Sequence, residues 1–245
     1  MPEKVEARLK TAGRLLAVKK VPWGEGRLRF STAQILIALV LMFVTAPFVE
    51  RMRDGRLIEV ALMTVVLGSA VLGLAGRRRT LIWAIILVVP TLAARWLNHL
   101  RPDVVPPELF QIGGLLFLLY VVEHYLLFIL HAPKVTSEVL CAAVATYLML
   151  ALLWAIAYAL TNQAIPGSFS FSSGSMDTRE MKGFNSMYFS LGTLTTLSYG
   201  DILPVSGVAR MLSVMESTVG VFFVAMLISR LVSLYSTARA DEVQS

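Results

Sequence analysis

The polar residues of this chain fall in clusters, and the stretches between clusters are almost wholly apolar. A helix that crosses a bilayer needs ~20 apolar residues at ~1.5 Å of rise each. Six stretches reach that length, at about 30–49, 57–75, 80–97, 109–130, 137–160 and 208–235. A seventh, 184–197, is apolar but shorter, with polar residues on both sides. It fits a helix that dips in and returns, because non-helical backbone survives at membrane depth only inside protein or beside water. The pattern predicts an all-α integral membrane protein. It has six transmembrane helices, with a re-entrant helix and loop between the fifth and sixth.

Composition agrees. Of the 245 residues, 56% are hydrophobic, against ~45–50% in a soluble domain, and the mean hydropathy is +0.70. The net charge of +6 would also suit a nucleic-acid binder. Its distribution excludes that class, because many of the basic residues flank the apolar runs, where they set orientation. The first residues carry Lys4, Arg8, Lys10, Arg14, Lys19, Lys20, Arg27 and Arg29 against only Glu3, Glu6 and Glu25. Six spans then put Arg77, Arg78, Arg79 and Lys134 on the same side, and Arg51, Arg53 and Arg56 opposite, among Glu50 and Asp54. The balance predicts a multi-pass protein of the cell membrane with both termini cytoplasmic.

Val44-Thr45-Ala46 resembles a cleavage site weakly, but the basic lead is long and Pro47 follows, so the first run reads as an uncleaved span. Val5, Leu9, Leu15 and Leu16 punctuate the basic segment. Two readings fit it: a helix on an anionic inner leaflet, or a tail that only sets topology. The divisions expected are a basic cytoplasmic segment at 1–29, a four-helix transmembrane domain at 30–131, a pore domain at 132–238 and a short cytoplasmic tail at 239–245.

Enzyme chemistry finds no foothold. Cys141 is the single cysteine and lies in an apolar run, so it reads as a small buried hydrophobe. His99, His124 and His131 lack metal-ligand spacing. No phosphate loop, catalytic carboxylate pair or serine triad stands out, and no cofactor is expected. The serine-rich stretch 168–175 reads as an exposed outer loop. Glu123 and His124 are ionisable residues inside a span, which makes them a candidate pH sensor. The alternative is a polar pair bonded to neighbouring helices. Being adjacent, they face ~100° apart on a helix.

The sharpest signal is Thr193-Leu194-Thr195-Thr196-Leu197-Ser198-Tyr199-Gly200-Asp201, after the short helix and before the last span. A dehydrated cation needs oxygen ligands in place of its water, and rings of backbone carbonyls supply them when several subunits present the same loop. Carbonyls that all face one axis need unusual dihedrals, hence glycine. The C-terminal end of the helix before the loop is partly negative and favours a cation.

This segment resembles the signature of the potassium-channel pore family, threonine-valine-glycine-tyrosine-glycine followed by aspartate. The flanks Tyr188-Phe189-Ser190 and Ile202-Leu203-Pro204 resemble bacterial members with a two-helix pore module. The last span, from Ala209-Arg210 through Glu216 and Gly220 to Ser229-Arg230-Leu231-Val232, resembles their inner helix. The resemblance covers about 139–235. It implies four identical subunits and potassium as the permeant ion. Carbonyls of Thr196, Leu197, Ser198 and Tyr199, with the Thr196 hydroxyl, would bind it. Gly200 would permit the turn out, and Asp201 would bond a pore-helix side chain such as Tyr188. Glu216 would support the filter from the inner helix. Gly220 would be a hinge, or else a close helix contact. Gly220, Val224, Leu227 and Ile228 recur at helical spacing and form a candidate gate.

Two departures shape the expectation. Ser198 stands where the family has its first glycine, in a left-handed backbone that costs a serine roughly 1–2 kcal/mol. Weaker potassium over sodium selectivity is therefore expected, and the alternatives are a non-selective monovalent cation channel or a non-conducting sensor or assembly subunit. The fourth span carries no arginine ladder, so voltage dependence should be weak.

Overall fold

The computed structural model describes residues 28–49, 52, 54–74, 78–101, 104–172 and 179–244. Residues 1–27 of the expected basic segment, and 173–175 of the serine-rich stretch, lie outside that set. The elements run α1 (Leu28–Val49), α2 (Gly55–Gly73), α3 (Arg78–Leu100), α4 (Pro107–His131), α5 (Ser137–Ala164), β1 (Phe169–Phe171), α6 (Gly183–Leu194), β2 (Ile202–Pro204) and α7 (Gly207–Gln244). All except α6 among the helices are long and apolar enough to cross a membrane, which makes six. α7 continues to Gln244, so the residues expected as a tail extend the helix.

Local chemistry sets several boundaries. Pro107 opens α4, where a missing N–H costs nothing. Thr136 caps α5, its hydroxyl accepting from the Val139 N–H at 3.4 Å. Pro47 lies two residues before the end of α1.

α5 is the hub. α1, α4, α6 and α7 all pack on it. Its buried positions are mostly small, including Ala142, Ala145, Ala151 and Ala155, and these let neighbouring helices approach closely. One apolar core joins α1–α5 to Met187 and Leu194 of α6 and Phe223 of α7. Cys141 on α5 is half-buried, less enclosed than expected.

A second core corrects the serine-rich loop. Ser168 and Phe169 are buried. β1 pairs antiparallel with β2, with Phe169 opposite Pro204 and Phe171 opposite Ile202. Phe169 meets Tyr158 of α5 and Phe189 of α6 edge-on, with ring centroids 5.6 and 5.4 Å apart. These rings bury a large apolar area, which draws the strand inward. The strand pair thus holds the exit from the loop that follows α6.

Candidate functional site

The site is the loop 195–201 between α6 and β2. α6 spans twelve residues, about 18 Å at 1.5 Å each, too short to cross a bilayer. Beyond its last residue the φ angles alternate in sign: Thr196 +59°, Ser198 +33° and Gly200 +80° are positive, while Leu197 and Tyr199 are not. In a plain strand, successive carbonyls point to opposite sides; turning every second residue over brings them toward one side. The N–H groups of 196–198 turn back toward α6. Leu197 and Ser198 both donate to the Gly192 carbonyl, at 2.8 and 3.3 Å, and Thr196 donates to Thr193 at 3.0 Å.

Positive φ at Thr196 is unusual, because a β-branched side chain crowds that region. Ser198 adopts the left-handed backbone that its place in the motif predicted. Gly200 does so without a Cβ to crowd.

The loop is exposed along its length, Leu197 by 58% and Tyr199 by 70%. The Tyr199 ring stacks on Tyr188 of α6, centroids 6.1 Å apart and nearly parallel. Desolvation, then the Tyr188–Asp201 hydrogen bond and the Asp201 charge, push the Tyr188 phenol up to about 12. Asp201 also anchors the exit: its carbonyl accepts from the Ser172 N–H at 2.8 Å, and its own Oδ1 accepts from the Ile202 N–H at 3.2 Å. A cleft of about 450 Å³ lies between this loop, α6 and the first turns of α7.

Glu216 is fully buried where α5, α6 and α7 meet. Tyr158 donates to its Oε2. Ser190 Oγ lies 2.5 Å from Oε1 and 2.6 Å from the Ala151 carbonyl. A hydroxyl has one proton to give. Ser190 either shares that proton between the two oxygens or gives it to Ala151 while a protonated Glu216 carboxyl donates to Ser190. Tyr158 and Ser190 were not singled out from sequence as Glu216 partners; an acidic residue inside an apolar run was the available signal.

Gly220 lies against the last residue of α6. A Cβ there would meet the Leu194 carbonyl oxygen at 2.2 Å. The same oxygen accepts from the Tyr147 hydroxyl of α5 at 3.1 Å. One turn earlier, Ser217 donates to the Thr193 carbonyl at 3.1 Å. α7 runs unbroken through Gly220, so of the two sequence readings the geometry matches close contact.

The candidate gate residues divide between two faces. Gly220 and Phe223 are buried, and Leu227 packs against the core. Val224 and Ile228 lie on the open face, 42% and 56% exposed. Leu227 therefore faces its own chain. Glu123 is exposed rather than bonded within the bundle. His124 Nδ1 contacts the Tyr120 carbonyl of its own helix at 2.9 Å, so the two residues do not pair. No cluster of metal-ligating side chains occurs among the described residues.

Residues 135–237 match the family model described as ion channel. That stretch contains α5, α6, the loop and most of α7. No curated protein and no solved structure matches the chain.

Proposed function

We propose that this chain is the pore-forming subunit of a homotetrameric, potassium-permeable cation channel, taking residues 135–237 as an ion-channel pore. The observation that carries it is the loop 196–200, with φ alternating in sign and its N–H groups tied back to Gly192 and Thr193. Such a loop offers carbonyl oxygens of Thr196, Leu197, Ser198 and Tyr199 toward one side, as a partly dehydrated cation requires. α6 is then a re-entrant pore helix whose C-terminal end favours positive charge.

One loop cannot surround an ion. A single chain also leaves this polar backbone exposed, which lipid does not tolerate. Four copies about an axis meet both needs. The open face of α7, with Val224 and Ile228, lines the conduction path in that arrangement. We assign residues 30–131 to a bracing domain without gating charges and 132–238 to the pore. The protein sits in the cell membrane with cytoplasmic termini and its basic N-terminal segment near anionic lipid.

Ser198 at φ +33° favours a second, graded reading, a pore less selective for potassium than its family. The reversal potential of purified protein in planar bilayers under a potassium–sodium gradient tests both. A value near the potassium equilibrium potential supports a selective filter. A value near zero with clear current identifies a general cation pore, and Ser198→Gly should then restore selectivity. An unchanged permeability ratio in that variant removes the role given to Ser198.

A further inference from the structure

Arg95, His99 and Gln111 line one cavity, and each also holds a buried side-chain atom that makes no hydrogen bond among the described residues. These atoms are Arg95 Nε, His99 Nδ1 and Gln111 Oε1. Those three atoms have almost no accessible surface, so the cavity is met by the remaining atoms of each side chain. The cavity measures about 620 Å³, within the ~300–1,000 Å³ of small-molecule sites. It lies outside the conduction path, between α1–α4, α5 and the start of α6.

Its polar wall is positive. Arg56, Arg95 and Lys182 line it against one lining carboxylate, Glu59. Glu59 pairs with Arg95 at 2.9 Å, and Glu180 pairs with Lys182. Arg56 instead donates to the neutral Asn98 side chain at 2.8 Å. The Arg95 guanidinium lies over the Phe110 ring, 5.4 Å from its centroid, which fixes its plane. Arg56, which bonds the neutral Asn98, calls for acceptor oxygens carrying negative charge. The Gln111 amide adds a neutral polar group to the same wall, able to meet a hydroxyl.

The wall is also layered. Arg56 is the second residue of α2, His99 the last but one of α3, Gln111 the fifth of α4, and Lys182 caps α6. All stand near helix ends at one end of the bundle. Met63, Leu152, Ile156 and Met187 line the deeper part. From Arg56 to Met63 is roughly 10 Å along the helix.

We propose that this cavity is a binding site for an anionic phospholipid with a hydroxylated headgroup. The phosphodiester sits on Arg56 and Arg95, a headgroup hydroxyl meets the Gln111 amide, and one acyl chain enters the apolar part. Because Lys182 and Met187 belong to the approach and first turns of α6, an occupied site braces the pore helix. The site concerns binding and needs no current, so its failure is separable from failure of the channel reading.

The test uses the full chain in neutral detergent, with native mass spectrometry counting bound lipid. The probes are phosphatidylglycerol, phosphatidylcholine and inorganic phosphate. Phosphatidylglycerol should be retained over phosphatidylcholine. Arg56→Gln should reduce that preference by about tenfold, the loss of one charge-assisted bond, while Arg56→Lys retains most of it. Gln111→Leu disturbs no ion pair and should weaken phosphatidylglycerol alone, which guards against misfolding of the arginine variant. Saturation by inorganic phosphate to the exclusion of lipid supports the anion site but assigns it to a free anion. Equal retention of the two lipids in wild type and variants, or retention of neither lipid nor phosphate, overturns the site and leaves a cavity for water.

Discussion

Replacing Gly220 by alanine adds one methyl group where α7 crosses the end of α6. The new Cβ would stand 2.2 Å from the Leu194 carbonyl oxygen and 3.1 Å from its carbon, and real Cβ atoms essentially never come within 3.0 Å. The two backbones must therefore part by about 0.8 Å, the difference between 3.0 and 2.2 Å. Backbone cannot turn aside as a side-chain tip can. Overpacking of this kind costs roughly 1–3 kcal/mol. The Tyr147 bond to the same carbonyl is strained by the same motion, adding about 1 kcal/mol. An expected loss of about 2–4 kcal/mol per subunit lowers the thermal midpoint of a chain this size by on the order of 5–10 °C. The displacement acts on Leu194, two residues before Thr196, so ion selectivity should change with stability. Thermal unfolding in detergent and bilayer reversal potentials read the two effects. A Gly220→Ala protein of unchanged midpoint and permeability ratio would refute the close-contact account. A protein that unfolds normally but stays closed would restore the hinge.

Glu216 should tolerate glutamine better than any apolar residue, because the amide can donate to Ser190 and accept from Tyr158. Glu216→Gln should shift the midpoint little, while Glu216→Ala should cost about 2–4 kcal/mol per subunit through lost bonds and a cavity; equal effects would discard the proton accounting. The raised phenol of Tyr188, about 12 against an ordinary 10, means the native state holds a proton that the unfolded chain releases first. Stability from this group is complete below pH ~10 and falls as pH climbs toward 12. Alkaline unfolding curves should show that loss in wild type and lose it in Tyr188→Phe. Conductance should vary little with voltage, since α4 contains no lysine or arginine; a steep conductance–voltage curve contradicts the bracing role of the first four helices.

The six spans were legible because a membrane helix announces itself by length and apolarity, which single residues barely alter. The short helix was equally legible, since 184–197 is apolar but cannot cross. The loop motif predicted positive φ at Ser198, and the backbone has it. Positive φ at Thr196 was not foreseen, because no residue there lacks a Cβ to advertise it. The β1–β2 pair was missed for a related reason. Three-residue strands carry no periodicity, and Ser168-Phe169-Ser170-Phe171 looks like loop until Phe169 is seen against Tyr158 and Phe189. Which face of α7 packs inward was hidden as well. Gly220, Val224, Leu227 and Ile228 share a helical side in sequence, and only the contacts with α6 and the core separate Gly220 and Leu227 from the other two.

The first four helices and the pore are coupled at both ends of the bundle. At one end, Lys182 and Met187 share the layered cavity with Arg56 and Arg95. At the other, Arg230 near the end of the apolar part of α7 donates to the Ala132 carbonyl at 2.9 Å, just after α4. A helix that opens a pore by swinging its far end must release or carry that bond. A charge-assisted bond at low dielectric is worth more than its length suggests, so it resists small excursions and yields only to a concerted one. On the proposed channel reading, this bond lets the four-helix unit restrain α7 mechanically. Arg230→Gln should consequently raise open probability while leaving the permeability ratio, set some 30 residues away at 196–200, unchanged. Single-channel recording separates the two quantities, and a variant altered in selectivity but not in opening would mean that the Ala132 bond does not restrain the helix.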